Sequence, residues 1–226
     1  MNILIATLKE WNIKNYFLLK EKYPKYNFFL ITSKEELNLE NVKKISPDYI
    51  FFPHWSFKIP KEIYQNFNSI LFHMTDLPFG KGGSPLQNLI MNKIYKTKIT
   101  ALKVEEKIDS GDILLKKDFD ISLGSAEEIF IKASKIIFFD MIPYILKNNP
   151  VPKKQTGKEV IFKRRNPNES EIKNIKSLEE LYDFIRMLDA PGYPKAFIKI
   201  DKIMIEFKEV HLKTNKIVGR FEAYEK

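Results

Sequence analysis

Short apolar runs alternate with amphipathic stretches over the first half of the chain. Asn2 to Thr7, Asn27 to Thr32, Asp48 to Pro53 and Ser69 to His73 each hold a short run of apolar residues between polar or proline ends, which suits strands covered on both faces. Between the first two, Ile13, Tyr16, Phe17, Leu18 and Leu19 mark the apolar side of a helix that Pro24 ends. Ser33 is placed to cap a helix holding Leu37, Val42 and Ile45, and Pro60 opens another over Lys61 to Phe67. Strands alternating with helices at this interval predict an α/β fold, a doubly wound, mostly parallel, Rossmann-like sheet.

The pattern loosens after His73. Pro85 opens an amphipathic helix through Asn92 with Leu86, Leu89 and Ile90 inward, and strands follow over Lys98 to Val104 and Ile113 to Ile121. Ser125 caps a long helix, Ala126 to Leu146, in which Pro143 should disturb the last turn. Asn148-Asn-Pro-Val-Pro then marks a boundary, so residues 1–148 are expected to form the main domain and 149–226 a small α+β appendage. That appendage carries a helix starting near Ser177 and strands over Phe197 to Ile200, Ile203 to Val210 and Ile217 to Ala223. So short a β segment leaves edges to cover, which predicts a homodimer through it.

Composition narrows the class. The chain has 226 residues, 44% hydrophobic and 30% charged, and no apolar run nears the ~20 residues of a membrane span. A strand pattern begins at Met1-Asn-Ile-Leu-Ile, with no basic leader in front of it, so a cytoplasmic enzyme is expected. With no cysteine and three histidines (His54, His73, His211), thiolate and histidine metal sites are not expected. The formal charge of +9 invites a nucleic-acid reading, but the lysines are scattered over helices and loops, as on an ordinary solvated surface. A dedicated nucleic-acid face is therefore not expected.

The chemistry gathers between Asn68 and Asp112. The strand ending at His73 gives way to Leu77-Pro78, the loop Gly80-Lys-Gly-Gly83 and Pro85, and Asp109-Ser-Gly-Asp makes a tight turn between two strands. A buried strand that stops at a loop bearing a polar side chain is how open α/β sheets build active sites. The order His, Leu-Pro, Gly-rich loop, Pro and Asp-x-Gly resembles the signature of the folate-dependent formyltransferases, which act on glycinamide ribonucleotide, methionyl-tRNA or sugar nucleotides. One position departs: the family's Asn two residues before the histidine is Leu71 here.

The resemblance implies roles. His73 would stabilise the oxyanion and shuttle a proton, since an imidazole exchanges protons near neutrality. Asp109 would orient and charge that imidazole and help remove the amine proton. Leu71 cannot donate a hydrogen bond to the oxyanion; His54, at the end of the neighbouring strand, is the candidate replacement. The formyl donor would be N10-formyltetrahydrofolate, its pterin set against Ser56, Phe57, Lys58 and Ile59 and against Glu106, Lys107 and Ile108. For the acceptor, Lys9, Trp11 and Asn12 follow the first strand into the same crevice, Lys81, Gly82 and Gly83 could meet a phosphate or sugar, and Arg164 and Arg165 a diphosphate.

Arg164-Arg165, Ile185-Arg186 and Gly192-Tyr-Pro-Lys-Ala-Phe197 resemble the segment after the catalytic domain of sugar-nucleotide N-formyltransferases, a run that is also similar to one in related tRNA formyltransferases. The expected acceptor is therefore a nucleotide-linked amino sugar, of the kind that enters surface polysaccharides. Methionyl-tRNA and glycinamide ribonucleotide are the alternatives within the class. The short tail argues against the first and the Arg-Arg to Tyr-Pro-Lys segment against the second. Outside the class stand a non-catalytic binding protein on the same fold, with Leu71 as its mark, and a basic RNA-binding module.

Overall fold

The computed structural model describes residues 1–225. Its main sheet has six strands in the order β2-β1-β3-β4-β6-β7, from β1 (Asn2–Ala6), β2 (Asn27–Ile31), β3 (Tyr49–Phe52), β4 (Ser69–His73), β6 (Lys96–Lys103) and β7 (Ile113–Asp120). The first four run parallel and β6 joins β4 antiparallel. Ile3, Leu4, Ile5 and Ala6 are all fully buried, as a central strand covered on both faces requires. The sheet is the mostly parallel α/β sheet that the alternation of strands and helices implied.

The chain runs from β1 to β2 on one side and then crosses to β3 on the other, so the strand order reverses between β1 and β3. Ligands of open α/β sheets settle at such a reversal, beyond the carboxyl ends of the strands. The loops leaving β1 and β3 meet there. Thr7 Oγ1 donates to the Pro53 carbonyl at 2.8 Å, and the buried Asn12 amide donates to Thr7 Oγ1 and to Pro53 O at 2.8 and 3.0 Å.

Helices α1 (Glu10–Lys22), α2 (Leu39–Ile45) and α3 (Lys61–Tyr64) connect the parallel strands. Ser33 caps only a turn, accepting from Glu36 N at 3.2 Å; α2 starts later, with Asn38 Oδ1 accepting from Asn41 N at 3.0 Å. Two cap-forming side chains compete there, and the one next to the periodic apolar residues sets the helix start. After β5 (Lys81–Gly82) come α4 (Pro85–Met91) and then α5 (Ala126–Ile136) and α6 (Ile142–Asn148). Ser125 opens α5 with a reciprocal pair: its hydroxyl accepts from Glu128 N and its N–H donates to Glu128 Oε2. The disturbance expected at Pro143 falls just before it, as a π-helical turn over Ile137–Met141. Proline offers no N–H to the preceding turn and crowds its carbonyl, and a widened turn accommodates both.

Contacts divide the chain into two units, Met1–Lys81 with Thr97–Phe119 and Ile131–Ile161, and Gly82–Lys96 with Asp120–Phe130 and Phe162–Lys226. Residues 149–161 thus group with the first unit and α4 with the second. After β8 (Ile161–Phe162), the second unit holds α7 (Leu178–Arg186), which starts at Ser177 as expected, with Ser177 Oγ accepting from Glu180 N. An antiparallel sheet β11-β10-β9 follows, from β9 (Ala196–Ile200), β10 (Ile203–Lys213) and β11 (Lys216–Glu225). Among the described residues no helix is long and apolar enough to cross a membrane, and no group of His, Cys, Asp and Glu is arranged to hold a metal.

Candidate active site

His73 closes β4, paired in register with Thr100 on β6, and is 8% exposed. Its Nε2 lies 2.8 Å from the Gly80 carbonyl oxygen. A carbonyl only accepts, so Nε2 carries a proton. The same carbonyl accepts from Thr75 Oγ1 at 3.3 Å, and Thr100 Oγ1 donates to Thr75 O at 2.7 Å. Gly80 holds φ +77°, a conformation glycine adopts at little cost, and this aims its carbonyl at the ring. The nitrogen left for chemistry is Nδ1, and it stands 3.5 Å from Asp109 Oδ2.

Asp109 is 7% exposed and sits in the left-handed region at φ +52°, where Asp and Asn are the non-glycine residues most often found. Next to it, a Cβ added to Gly111 would collide with the Lys103 carbonyl oxygen, so the turn lies tight against the end of β6. The two side chains that the resemblance singled out thus lie beside one another at the sheet's carboxyl edge.

Lys81 occupies a different place from the open phosphate contact expected of it. It is buried, with Nζ 3.1 Å from Glu159 and 3.3 Å from Ser110 Oγ, and Lys107 approaches the same Glu159 carboxylate at 3.4 Å. Hydrogen bonds from Lys81 and then Lys107 hold the Glu159 carboxyl below its ordinary range. A buried ammonium demands such a partner, and nothing near Lys81 in the sequence announces one.

Lys9, Trp11 and His54 come together at the strand-order reversal. The Trp11 and His54 rings lie 5.8 Å apart and the Lys9 ammonium sits 5.7 Å from the Trp11 ring. His54 has φ +54°, and burial followed by the Lys9 charge pushes its pKa down to about 3. Burial also lowers Lys9. Neutral His54 therefore contributes stability that is complete above about pH 6.5 and fades as pH falls from there toward the folded value. His54→Asn, which tolerates the left-handed backbone, is expected to flatten the loss in urea midpoint between about pH 7 and about pH 5. Equal losses in both proteins would remove His54 as the cause.

Lys61, two residues beyond the first stretch assigned to the pterin, lies 3.9 Å from Glu106 of the second. Ser56, Phe57 and Lys58 are exposed there, and Ile108 stands 73% exposed beside Asp109. Ile59 instead belongs to the core cluster of Leu4, Ile50, Phe52 and Ile63, against which Leu71 also packs. In the second unit, Gly83 lies directly against the Arg164 side chain, Arg165 N donates to Ser84 Oγ at 3.1 Å, and the Arg165 guanidinium stacks 5.7 Å from Phe184.

The comparisons with known proteins now bear on this arrangement. A family model described as the C-terminal domain of methionyl-tRNA formyltransferase matches residues 167–224. A methionyl-tRNA formyltransferase of Campylobacter jejuni subsp. jejuni serotype O:6 is 27% identical over 214 residues, spanning 92% of this chain and 68% of that protein. The solved structure of methionyl-tRNA formyltransferase from Clostridium thermocellum is 56% identical, with TM-score 0.98 over 100% of both chains. The chain belongs to the formyltransferase family. A sugar N-formyltransferase from Shewanella sp FDAARGOS_354 shares the fold at 18% identity and TM-score 0.68, over 89% and 93% of the two chains.

This formyltransferase is thus an enzyme that transfers a formyl group, and the expected nucleotide-linked amino sugar is overturned as its acceptor. The likeness at 56% over the whole length lies with a methionyl-tRNA enzyme, and that to the sugar enzyme extends to the fold alone. The argument from a short tail failed for a physical reason. Residues 167–224 suffice for a helix and three-stranded sheet that match a methionyl-tRNA formyltransferase C-terminal domain, so a longer barrel-like appendage is not required.

Proposed function

We propose that this enzyme moves the formyl group of N10-formyltetrahydrofolate to the amino group of methionyl-tRNA. The observation that carries the reading is the end-to-end likeness to the Clostridium thermocellum enzyme, at 56% identity. The exposed apolar side chains of Phe57 and Ile108, in the two stretches assigned to the pterin, suit a flat donor ring. The net charge of +9, set aside as surface bias from sequence, suits a polyanionic acceptor.

Residue roles follow from the geometry. With Nε2–H held by Gly80, a protonated His73 presents Nδ1–H beside Asp109, and that N–H supports the formyl oxygen as it gains charge. Asp109 takes a proton as the amine nitrogen bonds to the formyl carbon. When the bond from that carbon to N10 breaks, Nδ1–H protonates the departing nitrogen. The proton on Asp109 then returns to Nδ1 across the 3.5 Å gap, so one proton passes from amine to tetrahydrofolate. Leu71 is partly buried against the core cluster and offers no donor, so the His73 ring, with His54 as the proposed replacement for the missing side chain, is named for the oxyanion.

The test is transfer of labelled formyl from N10-formyltetrahydrofolate to methionyl-tRNA, with uncharged tRNA and free methionine as controls. Formylmethionyl-tRNA, with no product in either control, is the expected result. Absence of product on methionyl-tRNA, with donor present in excess, would overturn the assignment of acceptor.

A further inference from the structure

One segment of the main-sheet unit, residues 153–160, reaches both halves of the candidate site. Ile113 and Lys153 exchange two backbone hydrogen bonds at 2.8 and 2.9 Å, which anchors the segment beside the end of the Asp109 turn. Two residues on, Gln155 Nε2 donates to the carbonyl of Asp109 at 2.8 Å and to the carbonyl of Gly111 at 2.9 Å. Further along, the Val160 carbonyl accepts from the N–H groups of Gly80 and Lys81, both at 2.9 Å. Gly80 is the residue whose own carbonyl holds His73.

We infer that Gln155 is a positioning residue for formyl transfer: its amide straddles the Asp109 turn and sets the carboxylate against His73. The inference rests on Asp109 acting in the reaction as proposed above. A turn with an aspartate at positive φ has alternatives, because a residue that carries a Cβ is crowded in the left-handed region. Two donors on one rigid amide, bonded on either side of Ser110, remove those alternatives. Gln155 Oε1 is buried and has no hydrogen-bond partner among the described residues, so the donors are what the side chain supplies to its neighbours. The role is invisible locally, since Gln155 lies 46 residues from Asp109 and in no regular element.

The test compares Gln155→Met, close in length and without donors, Gln155→Ala, Asp109→Asn and the two double variants with Asp109→Asn. Both single Gln155 variants are expected to lose about 10²-fold in kcat, the scale of a misplacement near 1 Å, with KM for both substrates little changed. In the Asp109→Asn background the same substitutions should cost almost nothing further, because the group they place is already disabled. Additive losses, or a Met variant as active as the parent, would overturn the positioning role while leaving Asp109 in place. A fully active Asp109→Asn would instead overturn the catalytic reading, and this inference with it. Thermal midpoints of all five proteins separate lost positioning from lost folding, since unfolding would lower them in both backgrounds.

Discussion

His73→Ala is expected to lower kcat/KM for formyl transfer by about three orders of magnitude, within the range of a general acid–base group that also bears on developing charge. The ring is buried, one nitrogen fixed on Gly80 and the other 3.5 Å from Asp109, so alanine removes the proton carrier and leaves the carboxylate without its partner. Asp109→Asn should fall by a comparable factor, and the double variant little further, because the two groups act as one relay. Stability should move much less, since the Gly80 carbonyl keeps Thr75 as a donor. Steady-state kinetics beside a thermal melt reads both quantities. A His73→Ala enzyme retaining more than about a tenth of wild-type kcat/KM would exclude the relay.

The largest expected effect on stability is at Arg186, which is 1% exposed at the end of α7. Its Nε donates to Asp183 Oδ1 at 2.7 Å, and NH1 donates to the carbonyls of Ile121 and Gly124, each at 3.0 Å. The guanidinium also lies 5.4 Å from the Tyr182 ring and 5.9 Å from that of Tyr95. Tyr95 OH donates to the other Asp183 oxygen at 2.6 Å, and burial, then the bond to Asp183, pushes its pKa up to about 12. Arg186→Ala therefore leaves the largely buried Asp183 carboxylate with Tyr95 as its donor and takes the charged donor from two carbonyls. Breaking a buried pair in this way costs about 3–5 kcal/mol, a large share of the roughly 5–15 kcal/mol that holds a domain together. Urea unfolding followed by tyrosine fluorescence should show the second unit melting early; a loss below about 1 kcal/mol would place the pair among the weak ones.

Some of this architecture was legible because it is encoded locally. Ser69 to His73 forms a strand over the range its apolar run marked, and Ser125 and Ser177 open helices because a hydroxyl can reach the free N–H groups of a first turn. His73 and Asp109 were legible for the same reason, each sitting where a periodic run breaks. The Lys81 ion pair, the Gln155 clamp and the buried Arg186 were not. Each depends on a partner 78, 46 or 65 residues away, and the side-chain types involved are the ones that usually face water.

The choice of acceptor was illegible for another reason. Catalytic groups that move a proton between an amine and a formyl carrier can be the same for a sugar and for an aminoacyl-tRNA, so the motif names the reaction and leaves the partner open. The sequence by itself determined the succession of strands and helices and the mostly parallel α/β sheet, written in short-range period and punctuation, while the resemblance singled out His73 and Asp109 as candidates. Only the tertiary structure decided which nitrogen of His73 faces Asp109, that Lys81 is spoken for by Glu159, and that a strap from residues 153–160 holds both halves of the site. Those are contacts between segments that meet only once the sheet has formed, and their geometry is set by packing rather than by neighbours in the chain.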